Sequence, residues 1–241
     1  MPSTPAPKKK QLSSKLEKPR IVRAESIEAR KERLQKIFAQ LHKLYPSAQC
    51  ELDFTNAYEL LTATILSAQC TDQRVNIVMK DLREKYPTVR ALAKAEPPEL
   101  EAVIRTTGFF RQKAKSLISM ATDVVEKFGG EIPQKMEELI TLRGVGRKTA
   151  NVVMGNAFGT ADGIAVDTHV SRLSGRMGLS KHKTAEEIEQ DLRKLAPQNE
   201  WVELSHLLIL HGRRVCDARK PHCSECTVND LCPSKGMAGS I

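Results

Sequence analysis

The chain has 241 residues, with 38 Lys and Arg against 29 Asp and Glu, and a formal net charge of +9. A hydrophobic content of 40% excludes a wholly disordered chain, and the longest uncharged apolar run, 149–161, is too short to span a membrane. The positive charge is typical of proteins that bind polyanions, while an aromatic content of 4% argues against stacking on single-stranded bases. Composition therefore favours binding to a duplex.

The first 23 residues hold most of the net charge. Seven of them are Lys or Arg and one is Glu, which gives +6 of the +9. The proline-rich start followed by lysines predicts a disordered basic tail over 1–23, without the apolar stretch of a secretory signal. This tail either adds sequence-independent affinity for phosphates or serves only to keep the chain soluble.

After the tail, apolar residues recur with the helical period, and no segment shows a convincing strand pattern. Asn56 and Thr71 are predicted to cap two of the helices, and prolines or glycines end several others. The predicted helices span 26–45, 56–68, 72–86, 97–108, 111–128, 134–142, 147–158, 168–177, 184–195 and 200–211. Short loops between so many helices predict an all-α protein.

Two glycines one residue apart, Gly144 and Gly146, connect the helices predicted at 134–142 and 147–158. Glycine permits a positive φ and close approach of another molecule, and the first amides of the second helix have no partner within the helix. The positive end of that helix favours an anion. The turn therefore predicts a phosphate site, although ordinary helix–helix turns contain such glycine pairs too.

Four of the six cysteines lie within 17 residues, and the other two, Cys50 and Cys70, are predicted to be ordinary thiols. The spacing C-x6-C-x2-C-x5-C is formed by Cys216, Cys223, Cys226 and Cys232. Without a secretion signal, disulfides are the wrong expectation, and four thiolates can converge on one metal centre. A single C-x2-C with wide flanks favours an iron–sulfur cluster, and zinc stays the alternative.

Four motifs occur in an order that resembles the endonuclease III family of DNA glycosylases and AP lyases, in the helix-hairpin-helix superfamily. They are Leu66-Ser67-Ala68-Gln69-Cys70-Thr71-Asp72, the hairpin segment 142–153, Val166-Asp167-Thr168-His169-Val170 and the cysteine spacing. The resemblance covers about 25–235. It implies an all-α fold of two helical domains, with DNA bound in the cleft between them.

The resemblance also implies the domain boundaries and the cofactor. A six-helix barrel domain would span 50–160 and contain the helix-hairpin-helix at 134–158. An iron–sulfur domain, built from both chain ends, would comprise 24–49 and 161–241. Its loop 216–232 would hold a 4Fe–4S cluster on the four cysteines.

The activity implied is removal of oxidised pyrimidines from duplex DNA, followed by strand cleavage through β-elimination. Lys148 matches the family's nucleophilic lysine and Asp167 its essential aspartate. Because lysine is protonated in water at neutral pH, we expect the helix end and burial in a closed cleft to disfavour the ammonium. From the residues alone, Lys148 reads as a phosphate contact or a solvated lysine, and Asp167 as a helix N-cap.

The resemblance implies further contacts to DNA. Gln69 would fill the space left by an extruded nucleotide, and Phe109 would be the wedge, although both Phe109 and Phe110 could instead belong to the core. The family commonly has Leu-Tyr at this pair and proline at Arg143, so the chain departs from the pattern at both places. The other predicted contacts are Gly144, Gly146, Arg147 and His169, the last of which could instead be a structural histidine.

Two alternatives are a mismatch-specific monofunctional glycosylase of the same superfamily and a non-catalytic helix-hairpin-helix protein that only binds DNA. The lysine at position 148 argues against the first, since such enzymes typically lack it. The resemblance further implies a bacterial monomer in the cytoplasm, associated with the nucleoid, whose partner is damaged or abasic double-stranded DNA.

Overall fold

The computed structural model describes residues 25–236, and the regular elements in that range are all helical, as predicted. The predicted tail at 1–23 lies outside the described residues. The helices are α1 (Ile27–Leu44), α2 (Ala57–Leu66), α3 (Asp72–Lys85), α4 (Val89–Ala93), α5 (Pro97–Ile104), α6 (Phe110–Phe128), α7 (Met136–Leu139), α8 (Arg147–Ala157), α9 (Thr168–Arg176), α10 (Ala185–Leu195) and α11 (Trp201–Arg214).

Polar caps fix where several of these helices begin. The side chain of Asn56 accepts a hydrogen bond from the amide of Glu59 at 3.0 Å, and that of Thr71 accepts from the amide of Arg74 at 3.3 Å. Each satisfies an amide that has no partner inside its helix. The two caps predicted from the sequence are therefore confirmed.

The structure differs from the predicted helices where the elements are short. Helix α4 was not predicted, because its five residues are too few to show a helical period. The segment predicted as a helix at 134–142 is helical only over Met136–Leu139, and 97–108 ends at Ile104 and continues as a 3-10 turn, Arg105–Thr107. Helix α11 continues to Arg214, beyond the predicted end.

The buried hydrophobic residues form two cores. The first extends from Leu52 to Met154 and is built from α2 to α8, while the second combines α1 with the chain from Ile164 to Val228. Helix α1 packs on α10 and α11, which joins the two ends of the described chain. Each core lies inside one of the predicted domains, whose boundaries stay a prediction. Across residues 25–236, no helix is long and apolar enough to cross a membrane.

Candidate active site

A cleft between the two cores contains both predicted catalytic side chains. Lys148, from the first core, and Asp167, from the second, line one cavity of about 120 Å³. The polar and charged residues that share this cavity include Glu51, Asp72, Asn151, His206 and Arg213. The fold thus brings an amine and a carboxylate from separate parts of the sequence to one place.

Lys148 is the second residue of α8, directly after the hairpin turn. Its side chain is exposed. The expectation that the ammonium is buried is therefore wrong, because Lys148 lines a cleft that is open to solvent.

Asp167 is half-buried and is the N-cap of α9. Its Oδ1 accepts a hydrogen bond from the amide of Val170 at 2.8 Å. Among the described residues, Oδ2 has no hydrogen-bond partner, which leaves it for the cleft. The two interpretations of this residue are compatible, because one oxygen caps the helix while the other can face a substrate.

A group of ion-paired side chains lines the cleft. Arg213, near the end of α11, contacts the carboxylate of Asp72 at 2.8 Å and also pairs with Glu51. Asp72 is the first residue of α3, so the group ties the second core to the first. Although Arg213 lies three residues before Cys216 in the sequence, its side chain lines the cleft.

The hairpin turn needs a glycine at one of its two positions. Gly144 has a φ of 83°, and a Cβ placed there would lie 3.1 Å from the Cβ of Ser116. Gly146 has a φ of −95°, and a Cβ there would meet no atom within 4 Å. The positive φ expected from the glycine pair thus applies to Gly144 alone. Gly146 instead leaves the start of α8 uncovered.

The arginines beside the hairpin differ in what they contact. Arg143 is exposed, as a phosphate contact requires. Arg147 forms two hydrogen bonds of 2.8 Å with Glu189, a carboxylate on α10 that is only 4% exposed. Because a bidentate pair fixes both partners, Arg147 connects the hairpin to the second core. Its predicted role in DNA binding stays a prediction.

The predicted plug and wedge lie beside the hairpin. Gln69 is exposed, and Phe109 is 69% exposed, which is unusual for a phenylalanine. With Gly144, both line a cavity of about 260 Å³. The alternative that both rings at 109 and 110 belong to the core is wrong for Phe109, whereas Phe110 does pack against the first core.

His169 is held by neighbours of its own domain. Its Nδ1 lies 3.1 Å from Nη2 of Arg172, and because a guanidinium only donates, the ring accepts this hydrogen bond at Nδ1. A Cβ on Gly212 would lie 2.9 Å from this Nδ1, so α11 packs directly on the ring. These contacts favour the structural interpretation, and a contact of His169 with DNA stays a prediction.

The four cysteines of the C-terminal motif line a second cavity, of about 300 Å³. Burial raises the pKa of the Cys226 and Cys232 thiols, and the charge of the neighbouring cysteines raises it further. Four thiolates at this spacing repel one another unless positive ions lie between them. Within residues 25–236 no three His, Cys, Asp or Glu side chains group closely enough for one ion, and the cavity has room for a larger iron–sulfur cluster.

Two other side chains that line this cavity contact the sulfur atoms. Arg176 donates to Sγ of Cys216 at 3.3 Å, and Nε2 of His211 lies 3.3 Å from Sγ of Cys226. Burial lowers the pKa of His211 to about 4, so the ring is neutral at pH 7. Since Tyr45 can donate to its Nδ1 at 3.3 Å, Nε2 is free to donate to the sulfur. Hydrogen bonds of this kind orient and stabilise thiolate ligands.

Replacing Cys226 with serine is expected to remove the visible absorption of the iron–sulfur cluster and to lower the melting temperature by about 6–12 °C. This shift corresponds to a loss of about 3 kcal/mol in the free energy of unfolding for a chain of this size. The loss is expected because binding of the cluster by the cysteines contributes to the stability of the fold. Absorption spectra and thermal unfolding check both effects. Cys50→Ser is the control, since Cys50 lies outside this cavity. Unchanged absorption in Cys226→Ser would contradict the assignment.

Comparison with known proteins gives consistent matches. The description "HhH-GPD superfamily base excision DNA repair protein" fits residues 62–198, and "Iron-sulfur binding domain of endonuclease III" fits residues 216–232. Endonuclease III of Synechocystis sp. is 53% identical over 206 residues, which cover 86% of this chain and 94% of that protein. Endonuclease III of Bacillus subtilis is 43% identical over 190 residues, 78% of this chain and 86% of that protein.

Solved structures with a similar fold support the same family. A trapped endonuclease III–DNA covalent intermediate, an estranged-adenine complex, has a TM-score of 0.82 at 41% identity and covers 86% of this chain and 97% of its own. A thermostable thymine-DNA glycosylase has a TM-score of 0.76, but at 22% identity it shows only the shared fold.

Proposed function

The chain belongs to the endonuclease III family of base excision DNA repair proteins, and we propose that it removes oxidised pyrimidines from duplex DNA as a bifunctional glycosylase and AP lyase. The observation that carries the proposal is the shared cleft of Lys148 and Asp167, which opens beside the hairpin turn. An amine and a carboxylate there meet the needs of both chemical steps. The alternative of a monofunctional mismatch enzyme is not favoured.

The first step is displacement of the damaged base. The neutral amine of Lys148 forms a bond to C1′ of the deoxyribose, and the C1′–N bond to the base breaks. The base leaves with the electron pair and takes up a proton. Because positive charge develops on the sugar as this bond breaks, the carboxylate of Asp167 stabilises the transition state.

The second step cuts the strand. Loss of a proton from the Lys148 nitrogen and opening of the sugar ring, in which O4′ takes up a proton, give a protonated imine, which makes the 2′ hydrogen acidic. A general base removes that hydrogen as a proton, the electrons move into the C2′–C3′ bond, and the C3′–O bond breaks, so that the phosphate leaves as the 5′ end of the downstream strand. Water then hydrolyses the imine and frees the amine. Neither step consumes an electron.

The target base is hidden in the stack, so the nucleotide must leave the duplex before either step. Gln69 offers amide donors and acceptors to the base left without a partner, and the exposed ring of Phe109 can stack between bases. Arg143 and the open start of α8 at Gly146 bind phosphate. The iron–sulfur cluster, when bound, holds the loop 216–232 in a fixed shape.

We further propose that the protein acts as a monomer on DNA in the nucleoid. The cleft combines side chains of both cores of one chain, so the site is complete without a second copy. A DNA substrate supports a location where the chromosome is.

A panel of duplexes, each with one defined lesion, tests this proposal. We expect duplexes with oxidised or ring-saturated pyrimidines to be cut with an unsaturated aldehyde at the 3′ end, the product of β-elimination. Undamaged duplex and mismatched adenine or thymine should not be cut. Release of a base without a nick would instead identify a monofunctional glycosylase, and binding without any reaction would identify a non-catalytic protein.

A further inference from the structure

Two residues of the duplex-facing surface have an unusual backbone conformation. Gln69 has a φ of 54° and Phe109 a φ of 47°, and within residues 25–236 no other non-glycine residue has a positive φ. Such a conformation is rare for residues with a Cβ and persists where the surroundings hold it. The plug and the wedge must therefore be held in place by something nearby.

One buried lysine forms hydrogen bonds with two backbone carbonyls, one shortly before Gln69 and one shortly before Phe109. Lys113, in the second turn of α6, is 5% exposed. Its ammonium donates to the carbonyl of Leu66 at 2.8 Å and to the carbonyl of Thr107 at 2.7 Å. Leu66 ends α2, three residues before Gln69, and Thr107 ends the 3-10 turn, two residues before Phe109.

Burying the ammonium of Lys113 has a desolvation cost. Burial lowers the pKa of Lys113, and the thiol of Cys70 opposes that effect only in part. Among the described residues, Lys113 forms no ion pair with a carboxylate, so carbonyl groups stabilise its charge. The carbonyl of Leu66 belongs to the negative end of α2, which suits a cation. An apolar side chain would fill the same space without the desolvation cost.

Helix α6 also contacts the hairpin. Ser116, one turn after Lys113, is the residue that a Cβ on Gly144 would approach to 3.1 Å. Gln69, Phe109, Lys113, Ser116 and Gly144 line the same cavity. One helix therefore carries the wedge at its start, reaches the plug through Lys113 and supports the phosphate-binding turn through Ser116.

We propose that Lys113 is a positioning residue. It fixes the spacing between the segment from Leu66 to Gln69 and the segment from Thr107 to Phe109, so that plug and wedge enter the duplex together. The inference rests on the proposed function, in which these two residues fill the space of the extruded nucleotide. Lys113 does not touch the reacting atoms, and it acts through the two carbonyls that it connects.

The test compares Lys113→Met with Lys115→Met, which removes an exposed lysine from the same helix. In one assay, 2-aminopurine stands opposite a tetrahydrofuran abasic analogue, and its fluorescence reports entry of the plug. We expect Lys113→Met to lose more than half of the fluorescence rise and to excise a damaged base at least tenfold more slowly, which corresponds to about 1.4 kcal/mol. Cleavage at a pre-formed abasic site should stay within threefold, and Lys115→Met should match the wild type throughout.

Equal slowing of base excision and abasic-site cleavage would overturn the proposal in favour of a general structural role, and so would an unchanged fluorescence rise. If Lys113→Met does not fold, Lys113→Gln gives the same comparison, because glutamine is shorter than lysine and carries no charge. A wild-type protein that cuts no lesion would refute the proposed function, while the fluorescence assay would still decide the role of Lys113.

Discussion

Replacing Lys148 with glutamine is expected to slow strand cleavage by at least a thousandfold while the affinity for damaged duplex stays within about threefold. A thousandfold loss corresponds to about 4 kcal/mol of the activation barrier. The physical reason is that an amide nitrogen can neither displace the base nor form an imine with the opened sugar. Single-turnover cleavage and equilibrium binding on the same duplex measure the two quantities.

The structure indicates that this variant will fold normally. Lys148 is exposed in the first turn of α8, so glutamine removes no packing contact and is a good helix former. We therefore expect thermal unfolding to be unchanged. Lys115→Gln, another exposed lysine replaced in the same way, should cleave like the wild type. Residual cleavage above a tenth of the wild-type rate would mean that a different group is the nucleophile.

Replacing Asp167 with asparagine is expected to slow base excision by at least a hundredfold, or about 2.7 kcal/mol, without loss of stability. Asparagine is as good an N-cap as aspartate, so the bond to the amide of Val170 is kept. The substitution removes only the negative charge that faces the cleft. Single-turnover kinetics and thermal unfolding separate the two roles of this side chain.

Two further variants at position 167 distinguish the helix-capping role of the side chain from the role of its charge. Asp167→Ser also caps a helix, so it should resemble Asp167→Asn in both rate and stability. Asp167→Ala removes cap and charge together, and we expect it to be equally slow and about 1 kcal/mol less stable. If Asp167→Asn kept more than a third of the wild-type rate, the residue would be a cap and nothing more.

Much of the fold is predictable from the sequence because its signals are local. The caps at Asn56 and Thr71 and the helical period of α1 depend on residues a few positions apart. The ion pairs that connect the two cores depend instead on residues far apart in the sequence. Arg147 and Glu189 are 42 positions apart, and Arg213 and Asp72 are 141 apart, so no short sequence pattern predicts either pair.

The candidate site divides in the same way. The cysteine spacing and the hairpin glycine lie in short segments, so their chemistry is readable from the sequence. Lys113 is not, because a lysine on an amphipathic helix usually lies in solvent and its burial depends on carbonyls from two other segments. The exposure of Lys148 could not be predicted either, since it depends on the width of a cleft between two cores.

The most direct test of the mechanism is to reduce the reaction mixture with borohydride, which converts the imine into a stable amine, and to map the linkage by mass spectrometry. The account predicts one conjugate between the protein and a damaged duplex, with the deoxyribose attached to Lys148. Attachment to a different lysine or to the N-terminal amine, or the absence of any conjugate while strands are cut, would contradict it.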